Sequence, residues 1–304
     1  MIVFHHNDND GRCAAAIVSK WHTERAKTLK VDDPKAQISF VEMDYRMEPP
    51  IHLIDKYAEV VIVDFSFKPE AMKKVFEITP HVTWCDHHAT AKAYEEQYGR
   101  PVEGYRDFTD KGLSGCECTW RHFFPDDYMP PAIVTLGDYD SWRMKQRPTC
   151  LEFNEGLKLT DTNPWSWVWE YLLSDPEDEG ATFMQIVESG RLAMKYRDMY
   201  CEGLKESYGY TTMIDGHLAF ALNVSRFGSQ AFGNLTKKYP VCIAYIHDGR
   251  RYEVSLYSDM GVDVSEIAKK FGGGGHKGAA GFTSDHIVWT IISEAEYPME
   301  KSHD

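Results

Sequence analysis

Val82-Thr-Trp-Cys85-Asp86-His87-His88 places an acid and two imidazoles directly after a short apolar run. A run of this length and composition is typical of a strand that is buried in a parallel sheet. In open α/β sheets, ligands gather at the carboxyl ends of the strands. The stretch therefore predicts a buried strand over residues 82–85, followed immediately by metal or proton-transfer chemistry.

Three other segments show a similar pattern. The apolar residues 2–4 lead into His5-His6-Asn-Asp8-Asn-Asp10-Gly11, residues 60–63 lead into Asp64, and residues 132–136 lead into Gly137-Asp138-Tyr-Asp140. Carboxylates and imidazoles suit Mn²⁺, Mg²⁺, Fe or Zn, and the absence of a thiolate pair argues against a structural zinc site. Four such segments that converge at one sheet edge can hold two ions bridged by one carboxylate, an arrangement used for phosphoryl chemistry.

In this order, the four segments resemble the motifs of the DHH phosphoesterases, a family named after the triplet at residues 86–88. Near the C-terminus, Phe271-Gly-Gly-Gly-Gly-His276-Lys-Gly-Ala-Ala-Gly-Phe282 resembles the glycine-rich substrate loop of the DHHA1 domain. The matching motifs extend over nearly the whole chain. His6 lies two residues before Asp8, as in the branch that resembles the nanoRNases (oligoribonucleases) and the single-strand exonucleases. Many dinucleotide-cleaving relatives instead carry a histidine where this chain has Phe4.

The resemblance implies a set of metal ligands that would hold two divalent ions, with Asp64 shared between them. These ligands are His6, Asp8, Asp10, Asp64, His87 and Asp138. Mn²⁺ is the expected ion, with Mg²⁺ as the alternative. The sequence leaves open whether His5 or His6 is the ligand, and whether Asp138 or Asp140 is.

The resemblance also implies roles in catalysis and substrate binding. His88 would donate to a phosphate oxygen or to the leaving group, and Asp86 would orient a histidine. The expected substrate-binding residues are Gly273, Gly274, Gly275, His276, Lys277 and Arg226. Lys277 and Arg226 are considered because Leu256-Tyr-Ser258 occupies the place where relatives often carry an Arg-Ser pair.

Strand and helix signals alternate along the N-terminal part of the chain, which predicts an α/β fold whose parallel sheet has helices on both faces. The predicted domains are a DHH catalytic metal-binding domain (1–180), a helical linker (181–209) and a smaller α/β DHHA1-like cap (210–304). Near the end of the first domain, the aromatic-rich stretch 164–173 is predicted to form a buried helix, with a base-stacking platform as the alternative.

The distribution of charge bears on the substrate. The formal net charge is −14, and residues 210–304 hold 11 acids against 9 Lys and Arg, which leaves 36 acids against 24 bases in residues 1–209. A protein that binds duplex or long strands usually has a basic face. The acidity instead favours metal ions in the N-terminal part and short anionic substrates, and argues against duplex nucleic acid.

The remaining composition predicts an intracellular protein. Seven cysteines are scattered without a CxxC pair, so we expect reduced thiols and a cytoplasmic location. The apolar residues 1–4 are too few for a signal peptide, and no stretch is long enough for a membrane helix, so no membrane partner is expected. A homodimer is compatible with the sequence.

The sequence therefore predicts a metal-dependent phosphodiesterase that hydrolyses short oligoribonucleotides or dinucleotides to mononucleotides. Two alternatives lie in the same family, a nucleoside 3′,5′-bisphosphate phosphatase and a 5′ single-strand DNA exonuclease. A catalytically degenerate nucleotide sensor is disfavoured because all four motifs retain their ligands.

Overall fold

The computed structural model describes residues 1–30, 32–174 and 176–292. It divides into two compact units, Met1–Ala193 and Met194–Asp304. The domain limits predicted from the sequence remain predictions, and residues 31, 175 and 293–304 within them lie outside the described residues. No helix in the described part of the chain is both long enough and apolar enough to cross a membrane.

A four-stranded parallel sheet forms the centre of the N-terminal unit. Its strands are β1 (Ile2–His6), β2 (Ser39–Met43), β3 (Val60–Val63) and β4 (Val82–Cys85). The spatial order is β2-β1-β3-β4, so β1 and β3 are the inner strands. The register pairs Phe4 with Ile62 and Ile62 with Trp84, so the carboxyl ends of these three strands lie side by side.

Helices cover both faces of this sheet. The helices of the N-terminal unit are α1 (Asn9–Thr28), α2 (Pro69–Ile78), α3 (Ala91–Gln97), α4 (Gly115–Phe123), α5 (Pro131–Asp140), α6 (Thr149–Leu157) and α7 (Trp167–Leu172). Val61 and Val63 pack in one core with residues of α1 and α4, whereas Ile62 packs with α2 in a second core. Strands buried on both faces must be apolar at every position, which explains the continuous run in β3. The predicted fold class is confirmed.

The sequence predicts that the first helix begins at Arg12 and the second strand at Gln37, and both boundaries differ in the structure. Helix α1 begins at Asn9 rather than at Arg12, because the side chain of Asp8 caps it by accepting a hydrogen bond from the amide of Gly11 at 2.9 Å. The second strand begins at Ser39 rather than at Gln37, since Lys35–Gln37 forms a short 3-10 helix.

The aromatic-rich stretch 164–173 divides between core and surface. Trp169 is 3% exposed and packs in the α1 core, as predicted for a buried helix, whereas Trp167 on the same helix is 57% exposed. Trp165 is half-buried, and its ring contacts Phe40 edge-on at 5.4 Å between centroids.

The C-terminal unit contains a mixed seven-stranded sheet, preceded by the long helix α8 (Pro176–Tyr208). Its strands are β5 (Tyr210–Ile214), β6 (His217–Asn223), β7 (Val241–His247), β8 (Tyr252–Tyr257), β9 (Gly274–His276), β10 (Ala279–Ser284) and β11 (Thr290–Ile291), in the order β11-β5-β6-β7-β8-β10-β9. A 3-10 segment (Gly228–Lys237) follows β6, and α9 (Val264–Lys270) packs against β9 and β10. Only β6 and β7 run parallel, while the other neighbouring strands are antiparallel.

One close backbone approach supports the edge of the N-terminal sheet. Trp84 donates its amide to the carbonyl of Glu103 at 2.7 Å, so the chain around residue 104 runs alongside β4. Gly104 has φ +127°, and a Cβ at this position would lie 1.9 Å from the carbonyl oxygen of Trp84. Only glycine fits there, because the conformation and the contact both exclude a side chain.

We expect Gly104→Ala to lower the free energy of unfolding by about 3 kcal/mol through overpacking and backbone strain together. Gly99→Ala is the matched control, since Gly99 has φ +72° but nothing within 4 Å of its Cβ position. The control should lose only about 1 kcal/mol, the cost of the left-handed conformation. Chemical denaturation of the full chain measures both values, and equal losses would contradict the close approach.

Candidate metal centre

The carboxyl ends of the three adjacent strands β1, β3 and β4 bring their polar residues together. His6 ends β1, Asp64 directly follows β3, and Asp86 directly follows β4. The amide of Asp64 donates to the carbonyl of Cys85 at 2.9 Å, which keeps the residues after β3 and β4 in register beyond the strands.

Asp64 lies in the middle of this cluster. It is 1% exposed, and neither carboxylate oxygen has a hydrogen-bond partner among the described residues. Its backbone has φ +51°, in the left-handed region that Asp tolerates better than most residues. Burial, followed by the charges of Asp10 and Asp8, raises the pKa of Asp64 well above its ordinary value. The site therefore concentrates negative charge, which the neighbouring His6 imidazole balances only in part.

A first group of ligand atoms consists of His6, Asp8 and Asp64, whose ligand atoms all lie within 4.8 Å of one another. Nδ1 of His6 is 2.6 Å from Asp8 and 3.6 Å from Asp64. Burial lowers the pKa of His6, but its contacts with the Asp64 and Asp8 carboxylates outweigh burial and raise the pKa to about 10. Burial opposes ionisation of Asp8, yet the His6 contact lowers the Asp8 pKa to about 2.

A second group consists of Asp10, His87 and Asp140. Nε2 of His87 is 3.2 Å from Asp64, 3.3 Å from Asp140 and 4.0 Å from Asp10. Burial and then the charges of Asp10 and Asp64 raise the pKa of Asp140. Because Asp64 belongs to the first group and contacts His87 of the second, it would be a ligand common to both groups if each held an ion.

The start of α4 positions Asp10. Its carboxylate accepts hydrogen bonds from Ser114 Oγ at 2.9 Å, the Gly115 amide at 2.7 Å and the Cys116 amide at 3.2 Å. Ser114 and Glu117 form the capping box predicted from the sequence. A Cβ on Gly115 would lie 2.4 Å from Asp64 Oδ1, so α4 can approach the cluster this closely only because its first residue is glycine.

Asp86 and His88 form a pair at the edge of the cluster. Asp86 is fully buried, and one of its oxygens accepts hydrogen bonds from the amides of His87 and His88 and from Nδ1 of His88, the last at 2.8 Å. Burial lowers the pKa of His88, but the Asp86 contact outweighs it and raises the pKa above its ordinary value. His88 Nδ1 is also 3.9 Å from Asp64, and Asp64, His87 and His88 form a third group of possible ligand atoms. Asp86 thus fixes the orientation of His88, which is the arrangement the sequence analysis expected for Asp86 and a histidine.

Asp138, predicted as a ligand, does not lie in any of the three groups of ligand atoms. Its carboxylate accepts a hydrogen bond from the amide of Gln146 at 2.7 Å and lies 3.7 Å from Nε of Arg143. Asp140 is two residues further along α5, which rotates its side chain by about 200° relative to that of Asp138. Asp138 therefore binds the loop after α5, whereas Asp140 reaches His87.

His5, the alternative to His6 as a ligand, points away from the cluster. Its Nδ1 lies 2.8 Å from the His6 carbonyl oxygen, and it belongs to none of the ligand groups.

Tyr45, which follows β2, lies at the cluster but was not among the predicted site residues. Its ring centroid is 5.5 Å from those of both His6 and His88, and it stacks on Phe65 at 4.5 Å. The sequence signal for Tyr45 was an aromatic residue two positions after the edge strand β2.

The predicted substrate-binding residues all lie in the C-terminal unit. Residues 274–276 form β9 and pair with β10, and His276 is exposed. The amide of Gly273 already donates to the Ala268 carbonyl at 2.9 Å, so it is not available for a phosphate. A Cβ on Gly275 would lie 2.6 Å from the Ala280 Cα, which gives this glycine a packing role as well.

The two candidate cations have different surroundings. The carbonyl of Lys277 accepts a hydrogen bond from the Val264 amide at 3.0 Å, and its side chain is exposed. Arg226 has φ +69° and lines a cavity of about 320 Å³ with Ser225, Asp248 and Glu253 among its other lining residues. Arg226 thus shares its cavity with two carboxylates, Asp248 and Glu253.

Comparisons with known proteins agree with the sequence resemblance. Residues 229–294 match the model of the DHHA1 domain. An uncharacterized protein of Acanthamoeba polyphaga mimivirus is 24% identical over 319 aligned residues, which cover 100% of this chain and 70% of that protein. The C-terminal unit is therefore similar to a DHHA1 domain over residues 229–294.

Two solved structures share the fold. The DHH domain of a protein from a family of ribosomal proteins has a TM-score of 0.60 at 14% identity, covering 98% of this chain and 83% of that chain. Exonuclease RecJ bound to manganese has a TM-score of 0.51 at 13% identity, covering 98% of this chain and 86% of that chain. The chain thus has the α/β fold seen in DHH-family proteins.

Because Asp138 and Asp140 have different partners, a variant of Asp138 is the control for the same substitution at Asp140. Asp140→Asn should weaken Mn²⁺ binding about tenfold or more, because a ligand atom loses its charge. Asp138→Asn should change Mn²⁺ binding little but lower the free energy of unfolding by about 1–3 kcal/mol, since it weakens the acceptor of a buried amide. Titration calorimetry with Mn²⁺ and denaturation in chelator separate the two effects. A greater Mn²⁺ loss in the Asp138 variant would reverse the assignment.

Proposed function

We propose that this chain is a two-metal phosphodiesterase that hydrolyses short oligoribonucleotides or dinucleotides to mononucleotides. The observation that carries the proposal is the environment of Asp64, whose two buried oxygens have no hydrogen-bond partner among the described residues. Asp8, Asp10 and Asp140 add further carboxylates around it, and His6 and His87 supply imidazole nitrogens. Such a donor set fits hard divalent cations, which would balance the charge.

The ligand groups suggest how two ions would be held. His6, Asp8 and Asp64 would hold one ion, and Asp10, Asp64, His87 and Asp140 would hold the other, with Asp64 shared. Two divalent cations bound in this way would supply an activated water and neutralise charge on the phosphate. We expect Mn²⁺, with Mg²⁺ as the alternative, because carboxylate and imidazole ligands serve both.

The other residues of the centre would orient the substrate and transfer protons. Asp86 accepts from Nδ1 of His88 and favours its protonated form, so His88 can donate a proton to the departing oxygen or to a phosphate oxygen. The amides of the α4 N-terminus keep the Asp10 carboxylate in place. We further propose that His276 and the adjoining Gly274 contribute to substrate binding, together with Lys277 or Arg226.

The preference for short substrates rests on charge. The formal net charge of −14 leaves few cations to neutralise a long phosphate backbone, and duplex binders depend on such neutralisation. A short chain or dinucleotide needs only the ions and a few local contacts. The bisphosphate phosphatase and the single-strand exonuclease remain the competing activities, and they differ from the proposal in the length and kind of substrate that they hydrolyse.

A cleavage panel tests the proposal. The panel contains RNA and DNA from two to about twenty-four nucleotides, cyclic dinucleotides and a nucleoside bisphosphate, each with Mn²⁺. The value of kcat/KM should peak between two and about five nucleotides and depend weakly on salt. Chelation should abolish hydrolysis, and His276→Ala should raise KM for the short substrates. Equal rates on a trimer and a twenty-four-mer would favour the exonuclease, and turnover of the bisphosphate alone would favour the phosphatase.

Asp64→Asn provides the metal control for this panel. It should abolish activity, while the melting temperature of the metal-free chain stays unchanged or rises, because the variant removes a buried carboxylate whose pKa is raised. Mn²⁺ at about 100 times its Kd should stabilise the natural chain by about 2.7 kcal/mol and the variant by much less. Hydrolysis that survives both chelation and this substitution would refute the two-metal mechanism.

The different roles proposed for His87 and His88 give a further prediction. His88→Ala should lower kcat by about 10²–10⁴-fold, the range for a lost proton donor, and leave bound Mn²⁺ nearly unchanged. His87→Ala should lose Mn²⁺, because its Nε2 lies within 3.3 Å of both Asp64 and Asp140. Measuring bound Mn²⁺ beside single-turnover rates separates the roles, and equal metal loss in the two variants would show that His88 is a ligand.

A further inference from the structure

A second polar cavity lies in the N-terminal unit, away from the candidate metal centre. It has a volume of about 380 Å³, within the range of about 300–1,000 Å³ common for small-molecule sites. One wall is the face of α1 from Ala16 to Lys27, and the other is the aromatic stretch 164–173, with Lys35 at its rim. We call it the lysine–tryptophan pocket. None of its lining residues belongs to the ligand groups described above, and Ser19 on its α1 wall is about 14 Å along the helix from Asp10.

An unpartnered hydroxyl lies in the lining of this pocket. Ser166 is 7% exposed, and its Oγ has no hydrogen-bond partner among the described residues. Ser166 occupies the N-cap position of α7, where a serine usually bonds a helix amide, but here its side chain makes no capping bond. A buried hydroxyl without a partner is unfavourable, so a polar group of a bound molecule would stabilise it.

The rim of the pocket carries cations that are not neutralised. Lys20 pairs with Glu24 at 2.7 Å, whereas Lys27 and Lys35 have no carboxylate partner within the described part of the chain. Two ammonium groups match the charge of a phosphate monoester, about −1.5 to −2 at pH 7. Glu170 on the opposite wall also lacks an ion-pair partner among described residues and can accept a hydrogen bond from a hydroxyl or amino group of the same ligand.

The aromatic wall supplies a flat apolar surface. Lys35 Nζ lies 5.2 Å from the centroid of the half-buried Trp165 ring, so cation and ring are adjacent. The indole N–H of Trp169 donates to the Thr162 carbonyl at 3.2 Å, which leaves that ring as an apolar surface without an unmet polar atom. A planar ring can pack here while its phosphate reaches the lysines.

We infer that the lysine–tryptophan pocket binds a small aromatic phosphate monoester of nucleoside-monophosphate size. The ring lies against Trp165, the phosphate against Lys27 and Lys35, and a polar ligand group bonds Ser166 Oγ. This site is separate from the metal centre and does not depend on the proposed hydrolysis.

Binding of 5′-AMP to the full chain in chelator tests the inference, because chelation removes any anion binding through metal ions. Titration calorimetry should give a Kd below about 1 mM, with adenosine and inorganic phosphate each at least about tenfold weaker. The double variant Lys27→Gln/Lys35→Gln should weaken AMP binding about tenfold or more. Lys73→Gln/Lys74→Gln is the matched control, since it removes the same charge from exposed positions of α2, and its Kd should stay within about twofold.

Ser166→Ala provides a second variant that does not depend on charge. Because the hydroxyl makes no capping bond, the melting temperature of the ligand-free chain should stay unchanged or rise, while AMP binds about fivefold more weakly. Absence of saturable binding up to about 10 mM AMP would overturn the inference. So would inorganic phosphate binding as tightly as AMP, or equal effects of the Lys27/Lys35 and Lys73/Lys74 variants.

Discussion

The arrangement of the N-terminal unit depends on one unfavourable interaction, the burial of the Asp64 carboxylate among Asp8, Asp10 and Asp140. Like charges at this separation repel strongly where water is excluded. The protein offsets only part of this repulsion, through the imidazoles of His6 and His87 and the α4 amides that bind Asp10. The remaining negative charge would favour bound cations, and the surrounding structure must hold the carboxylates together against their repulsion.

That rigidity comes from the backbone rather than from long side chains. Gly11 and Gly115 each stand where a Cβ would come within 2.4 Å of a neighbouring group, His6 O for the first and Asp64 for the second. Both glycines therefore let a helix begin in direct contact with a strand end. Asp64 itself takes a left-handed conformation directly after β3, and that turn places its carboxylate between α1, α4 and the residues after β4.

How much the sequence predicts differs between kinds of feature. Strand β4 and the position of Asp64 followed from apolar runs that end in a carboxylate, because strands buried on both faces leave a strong local signal. The choice between Asp138 and Asp140 could not be made, since it depends on how α5 is rotated about its axis, which tertiary packing decides. In the C-terminal unit, the apolar runs 218–223, 241–247 and 252–257 predict β6, β7 and β8, whereas β9 is rich in glycine and β11 has two residues, so neither carries a readable pattern. The glycine run was interpreted as a phosphate loop, but Gly273 and Gly275 are also required by close backbone contacts that no local pattern reports.

The strand order β2-β1-β3-β4 has a consequence for how such an enzyme diversifies. All ligand groups draw on residues after β1, β3 and β4 and on α5, and none draws on the connection that follows the edge strand β2. Tyr45 begins that connection and packs against His6 and His88 without ligating. If the proposed function holds, substitutions in that connection would change which substrates the centre accepts while the ligand groups stay unchanged, so a new specificity would not require the loss of metal binding.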